Sequence, residues 1–207
     1  MSRDTARGAT PRRLAAISGV TSAVGTPTLI VVATLVAPWF SWRTNAFSDL
    51  GVTPPTELLF NGTLIAGGLL ALPFAWLLWT TSDGIGGRLR GGLFAITAVA
   101  LGAVGVFPSG DPLHFPVAAT HFLGVTATLA VDGICRRDRT TGRLAGLAAV
   151  GHAVAWIAWA QEVLFPPGLA LPEFVGALVL ATWVTALSPV TPLRSGSDRS
   201  RADAVES

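Results

Sequence analysis

The sequence predicts an all-α fold, a polytopic transmembrane bundle of six helices. Of the 207 residues, 51% are hydrophobic and only 13% are charged, whereas about a quarter of the residues of a typical soluble domain are charged. The apolar residues also gather in six long runs with few charges. Each run is close to the ~20 residues that a helix needs to cross ~30 Å of hydrocarbon.

Segments of Gly, Pro, Ser, Thr and charged residues separate the runs, as is typical of connections. In chain order, the predicted spans are 15–39, 57–80, 91–108, 116–134, 144–165 and 173–190. The chain therefore divides into an N-terminal tail, 1–14, a transmembrane domain, 15–190, and a C-terminal tail, 191–207. The polar composition of the second tail predicts disorder.

Single residues support individual helix ends. Glu57 follows Thr56 and Glu173 follows Pro172, so each acid lies in a first helical turn, where the helix dipole favours a negative charge. At the other end of the fourth run, Asp132 lies four residues before Arg136, which predicts an ion pair within one helix.

The basic residues predict the orientation. All 14 are arginines, and every one except Arg43 lies in the tails or in the segments 81–90 and 135–143. Because cytoplasmic segments carry an excess of basic residues, both termini are predicted to be cytoplasmic, in a multi-pass protein of the cell membrane. The expected partners are membrane lipids and not nucleic acid, and the oligomeric state stays open.

Several polar residues share one predicted depth, in the outer leaflet or just above it. Ionisable groups at membrane depth are costly and often mark functional sites. We therefore predict a polar pocket at the outer leaflet that binds a lipid or lipid-like ligand. Its candidate residues are Asp49, Asn61, His114, His121, Glu162 and Glu173. The alternative is a polar plug that only holds the outer connections together.

The segment NAFSDLG, residues 45–51, follows the first span on the predicted outer side. We expect it to fold back over the mouth of the bundle and to bring Asp49 near Asn61 and His121, because buried polar groups need partners. His152, alone near the middle of the fifth span, is interpreted as a packed and hydrogen-bonded histidine.

Histidines and carboxylates together can hold a divalent metal or transfer protons. If a metal is bound, His114, His121 and Asp49 are its candidate ligands, whereas the single cysteine excludes a cysteine-based site. No H-E-x-x-H motif or Ser-His-Asp arrangement is present. A metal-dependent hydrolase acting on a lipid therefore stays open as an alternative, and no catalytic residue is assigned. A transporter is less favoured, because His152 is the only polar candidate at mid-depth.

Four features resemble the family called domain of unknown function 998, which comprises six-helix membrane proteins of bacteria and archaea. They are FSDLG after the first span, FP closing the third, histidines before and inside the fourth, and an acid opening the sixth. The resemblance covers residues 15–190 and implies the fold and topology, but no reaction; we expect an archaeal source. The family's motif positions fall on Phe47, Ser48, Asp49, Leu50, Gly51, Asn61, Pro108, His114, His121 and Glu173.

A more remote resemblance is to the CREST group of seven-helix membrane hydrolases, which bind zinc through His and Asp. This chain has one predicted helix fewer, and it lacks the H-x-x-x-H pair of their last helix. The zinc site of that group is therefore not transferred to this sequence.

Overall fold

A computed structural model describes residues 2–82, 84–163 and 167–190, with side chains from residue 10 onward. The chain is 79% helical, and the described residues contain no strand. The predicted all-α bundle of six helices is confirmed. The predicted C-terminal tail, 191–207, lies outside the described residues.

The six helices follow one another with short connections. They are α1 (Ser2–Leu35), α2 (Glu57–Thr80), α3 (Gly84–Val106), α4 (His114–Cys135), α5 (Thr140–Ala160) and α6 (Ala170–Thr182). A π-helical turn, Trp183–Leu187, continues α6, and a 3₁₀ turn, Phe47–Gly51, lies between α1 and α2. By length and composition, α1 to α5 can each cross a membrane, as can α6 together with its π-helical turn, so this is a multi-pass membrane protein.

Several predicted helix ends were wrong. The first helix begins at Ser2 and not at 15, and the fifth begins at Thr140 and not at 144. The first helix ends at Leu35 and not at 39, because Pro38 disfavours helical backbone before it. The third begins at Gly84 and not at 91, because Arg90 is paired inside the bundle and need not lie in a connection. The fifth ends at Ala160 and not at 165.

Each of the first five helices packs against the next, and α6 closes the bundle against α1 and α5. Glycines allow the closest approaches. A Cβ added at Gly68 would lie 2.6 Å from the carbonyl oxygen of Ala98 on α3, and one added at Gly133 would lie 2.6 Å from Cα of Gly146 on α5. Small residues of this kind let membrane helices pack backbone to backbone.

The buried apolar residues form two main clusters at different depths. One surrounds Phe74, Phe94 and Trp183. The other includes Phe47 and Leu50 of the 3₁₀ turn. We call Phe47–Gly51 the FSDLG turn and the end of the bundle that carries it the FSDLG end. The arginine pattern predicts that this end faces outward.

Candidate functional site

The FSDLG turn is docked on the bundle. Phe47 is 5% exposed and Leu50 is fully buried. The Phe47 ring makes edge contacts with Trp42, at 5.2 Å between centroids, and with Phe174 of α6, at 6.3 Å. The backbone N–H of Phe47 also donates a hydrogen bond to Oε2 of Glu173, at 2.7 Å. The turn is thus attached to the start of α6.

The connection before the FSDLG turn pairs with the chain entering α6. The N–H of Gly168 donates to the carbonyl of Arg43, and the N–H of Ala170 donates to the carbonyl of Asn45, both at 3.0 Å. The second bond satisfies an N–H that the first turn of a helix leaves unpaired. Glycine is needed at 168, because a Cβ there would lie 2.7 Å from the Asn45 carbonyl oxygen.

Asp49 stabilises the turn from inside. Its Oδ2 accepts hydrogen bonds from Nδ2 of Asn45, at 2.8 Å, and from the N–H of Ala46, at 3.0 Å. Short carboxylate side chains commonly bond the backbone of their own turn in this way. The Asp49 carboxylate is therefore hydrogen-bonded within its own segment of the chain.

The segment folds back over the bundle, but the hydrogen bonds of Asn61 and His121 go to backbone carbonyls and not to the Asp49 carboxylate. Asn61 reaches the segment through its backbone, since its Nδ2 donates to the carbonyl of Gly51 at 2.9 Å. Nδ1 of His121 lies 3.0 Å from the carbonyl oxygen of Thr97. Neither side chain is hydrogen-bonded to Asp49, because the backbone carbonyls supply nearer acceptors.

A cavity of about 100 Å³ lies below the FSDLG turn, among α1, α2, α3, α4 and α6. Most of its wall is apolar, including Ile30, Phe60, Leu64, Leu101, Val104 and Phe122. Its polar lining residues are Ser22, Thr26, Ser48, His114, His121 and Glu173. These helix positions lie mainly in the half of the bundle nearer the FSDLG end.

The cavity brings together three of the six candidate residues, His114, His121 and Glu173. The other three, Asp49, Asn61 and Glu162, do not line it. Glu162 lies beyond the end of α5, exposed and with a φ of 57°. No residue of α5 lines the cavity, so an acid just beyond the end of α5 does not lie at the site.

Sequence reasoning missed two hydroxyl residues of the cavity, Ser22 and Thr26, and named Ser48 only as a motif position. Ser22 and Thr26 are one helical turn apart and so share a face of α1, and Ser48 belongs to the FSDLG turn. Hydroxyls in membrane helices commonly bond backbone carbonyls, as Ser22 does with the carbonyl of Gly67 at 2.7 Å. The spacing of Ser22 and Thr26 was the available signal. It does not show whether a hydroxyl bonds a backbone carbonyl or faces a cavity.

The two cavity histidines use their ring nitrogens in the same way. Nδ1 of His114 lies 2.8 Å from the carbonyl oxygen of Phe107, and Nδ1 of His121 lies 3.0 Å from that of Thr97. A carbonyl only accepts, so Nδ1 carries the hydrogen in both rings. Nε2 of each ring makes no hydrogen bond within the described part of the chain. Seven residues of helix place the two rings on one face, about 10 Å apart in depth.

Three further polar groups in the cavity lack a partner among the described residues. They are the hydroxyls of Thr26 and Ser48 and the second oxygen of the Glu173 carboxyl. Pro27 adds a fourth feature, because it has no N–H to donate to the carbonyl of Ala23, and both residues line the cavity. Unpaired polar groups beside apolar surface are costly unless another molecule bonds to them.

The sequence profile of the family described as protein of unknown function, DUF998, matches residues 13–189. The chain belongs to the DUF998 family. No curated protein and no solved structure matches it. The resemblance inferred from FSDLG and the histidines is confirmed, and the family description assigns no activity.

In this DUF998 protein, His152 is a packed histidine, as predicted. It is fully buried. Its Nε2 accepts a hydrogen bond from Nε1 of Trp156 at 3.1 Å, and its Nδ1 lies 2.8 Å from the hydroxyl of Thr126. Both ring nitrogens are satisfied, and His152 does not line the cavity.

The residues of this DUF998 protein do not fit the metal site considered from the sequence. Across the described ranges, no group of three or more His, Cys, Asp or Glu side chains is placed to hold a metal ion. His114 and His121 are two helical turns apart, and Asp49 is bonded within its own turn. The predicted ligand set is therefore not assembled.

A second cavity, of about 20 Å³, continues below the first and shares Ser22 and His121 with it. Its volume suits about one water molecule. Phe94 and Val184 help to line it, and the fully buried Trp183 belongs to the same apolar cluster. In this DUF998 protein, the cluster therefore packs directly against the second cavity.

A buried ion network lies near the end of the bundle opposite the FSDLG end. Oδ1 of Asp132 accepts from Nη1 of Arg90 at 2.9 Å and from Nε of Arg136 at 2.7 Å. Its Oδ2 accepts from Nη2 of Arg136 and from Nε1 of Trp183, the latter at 2.8 Å. The predicted pairing of Asp132 with Arg136 is confirmed. Sequence reasoning missed Arg90 and Trp183, which extend the pair into a network across α3, α4 and the π-helical turn.

Proposed function

We propose that this protein binds a lipid or lipid-like ligand in the cavity below the FSDLG turn, at the outer leaflet of the cell membrane. The observation that carries the proposal is the set of unpaired polar groups in an apolar cavity. An amphipathic molecule satisfies both parts of such a site. Its polar atoms pair with the histidines, hydroxyls and carboxyl, and its apolar atoms contact the walls.

The size of the cavity supports binding of part of a lipid. Pockets for drug-sized ligands measure about 300–1,000 Å³, whereas this cavity measures about 100 Å³. A small polar group and the first carbons beside it fill that volume. The remainder of the molecule then lies outside the cavity, against the FSDLG turn or in the surrounding bilayer.

The described geometry favours binding over hydrolysis. Hydrolysis needs an activated nucleophile, which proteins obtain from a metal or from an adjacent base. Ser48 lines the cavity, but its hydroxyl is not hydrogen-bonded to His114 or His121. With the metal ligands also unassembled, neither route is supported. Transport is disfavoured by the packed core and by the ion network around Asp132 at the opposite end.

The proposal is tested by measuring the lipid that remains on the purified protein. Ala118 lines the cavity, so Ala118→Leu places a larger side chain in the space for the ligand. Ala66, an exposed residue of α2, provides the matched control Ala66→Leu. After purification in a mild detergent, native mass spectrometry and extraction measure lipid per protein.

We expect wild type and Ala66→Leu to retain a lipid, and Ala118→Leu to lose most of it while keeping its thermal stability. Equal retention by all three proteins contradicts a site in this cavity. Elemental analysis of the same samples tests the alternative function. Stoichiometric metal in the wild type that is lost in His121→Ala supports a metal-dependent hydrolase instead.

A further inference from the structure

We infer that the polar group bound in the cavity is small, uncharged and hydroxyl-bearing, and that it is neither a phosphate nor an amine. This inference rests on the proposed lipid site and names its ligand class. It follows from the charges, the hydrogen-bonding groups and the volume of the cavity.

The charges in the cavity disfavour a phosphate. Within the described part of the chain, Glu173 is the only acidic residue that lines it, and no arginine lines it. The network arginines, Arg90 and Arg136, are paired with Asp132 near the other end of the bundle. An anionic headgroup would lie beside the Glu173 carboxyl, in apolar surroundings and without a cation to offset its charge.

The hydrogen-bonding groups disfavour an amine. An ammonium group donates three hydrogens and accepts none. Among the described residues that line the cavity, the only acidic group available to it is Glu173, one oxygen of which already accepts from the N–H of Phe47. Apolar walls add the cost of removing a compact, strongly hydrated charge from water. One carboxyl with a single free oxygen offsets only part of that cost.

A hydroxyl complements the groups that are free. The free nitrogen of both His114 and His121 is Nε2, which accepts a hydrogen bond whenever the ring is neutral. The hydroxyls of Thr26 and Ser48 both donate and accept. His121 is 8% exposed, so its unpaired Nε2 is a deeply placed acceptor. A ligand hydroxyl donates to such a nitrogen and accepts from a neighbouring hydroxyl.

The volume limits the headgroup to a few heavy atoms. An apolar cavity of about 150 Å³ engineered in another protein holds one benzene molecule, and the cavity here is smaller. Glycerol, esterified to one acyl chain, is a headgroup of suitable size and chemistry. The acyl chain supplies the apolar portion that the walls and the bilayer require.

Three probes with the same C8 chain separate the classes: monooctanoyl glycerol, octyl phosphate and octylamine. Their binding is measured with labelled probe and the full-length protein in phosphatidylcholine nanodiscs. We expect monooctanoyl glycerol to bind at least about tenfold more tightly than the other two, a difference of roughly 1.4 kcal/mol. Octyl phosphate or octylamine binding as tightly as the glycerol ester, or more tightly, overturns the inference.

A matched pair of variants ties the preference to the cavity. Thr26→Val removes a cavity hydroxyl that makes no described hydrogen bond, so the fold should be unaffected. Thr128→Val removes a buried, equally unpaired hydroxyl outside the cavity. We expect Thr26→Val to weaken glycerol ester binding about tenfold and Thr128→Val to leave it unchanged. Equal affinities for the two variants overturn the inference.

Failure of this inference is distinguishable from failure of the proposed function. If Ala118→Leu loses the retained lipid but none of the three probes binds, or all bind equally, the cavity is a lipid site and the hydroxyl class is wrong. If Ala118→Leu also retains its lipid like Ala66→Leu, the proposed function itself is wrong.

Discussion

The backbone N–H of Phe47 lies 2.7 Å from Oε2 of Glu173, although the two residues are 126 positions apart in the chain. This bond joins the turn after the first helix to the first turn of the last helix. Both residues line the cavity, so the same contact that fixes the turn also shapes the proposed binding site.

Replacing Glu173 should release the FSDLG turn. In Glu173→Ala, the Phe47 N–H loses its acceptor, and an unpaired buried donor costs about 1–3 kcal/mol. Glu173→Gln keeps an oxygen acceptor and should have a smaller effect. Hydrogen–deuterium exchange of the peptide covering 43–51 measures the release. Glu162→Ala, at an exposed acid, is the control, and unchanged exchange in Glu173→Ala would refute the role of this bond.

Breaking the buried ion network should strongly destabilise the protein. Asp132→Ala leaves the guanidinium groups of Arg90 and Arg136 buried without their carboxylate, and loss of one partner of a buried ion pair costs about 3–5 kcal/mol. Asp138→Asn, at an exposed carboxylate, should change stability by less than about 0.5 kcal/mol. Unfolding in micelles, followed by tryptophan fluorescence, measures both. Equal stabilities would argue against the network.

Two glycines of α2 should respond in opposite directions to the same substitution. A Cβ at Gly62 meets no atom within 4 Å, so Gly62→Ala should stabilise the helix by about 0.5–1 kcal/mol. A Cβ at Gly68 would lie 2.6 Å from the Ala98 carbonyl oxygen. Gly68→Ala must therefore separate α2 from α3, with a loss of about 1–3 kcal/mol. Thermal unfolding measures both, and shifts of the same sign would be contrary to this packing.

The predicted topology can be tested with the single cysteine. Cys135 is exposed at the end of α4 opposite the FSDLG end, so it should react with a membrane-impermeant maleimide only after cells are permeabilised. Thr44, exposed in the connection before the FSDLG turn, provides the opposite probe. Thr44→Cys in a Cys135→Ala background should react in intact cells. The reverse pattern would show that the termini are on the outer side.

The sequence alone determined the number of helices and their approximate positions. It also indicated that His152 is packed and hydrogen-bonded. Spanning a bilayer requires an apolar run of a certain length, which is a local property of the chain. Residue depth follows from position along a helix, which is why His114, His121 and Glu173 could be grouped. For the same reason the sequence also grouped Glu162 with them, since depth does not say which way a side chain faces.

Only the tertiary structure decided which groups meet. Arg90 was assigned to a connection, but it lies inside α3 because Asp132, on α4, neutralises it there. Asp49 was expected to lie near Asn61 and His121, and the hydrogen bonds of its carboxylate go to Asn45 and Ala46 of its own segment. The rotation of each helix about its axis and the path of each connection decide which residues at the same depth are in contact. Those choices depend on contacts between residues far apart in the chain, and apolar runs and charge counts do not encode them.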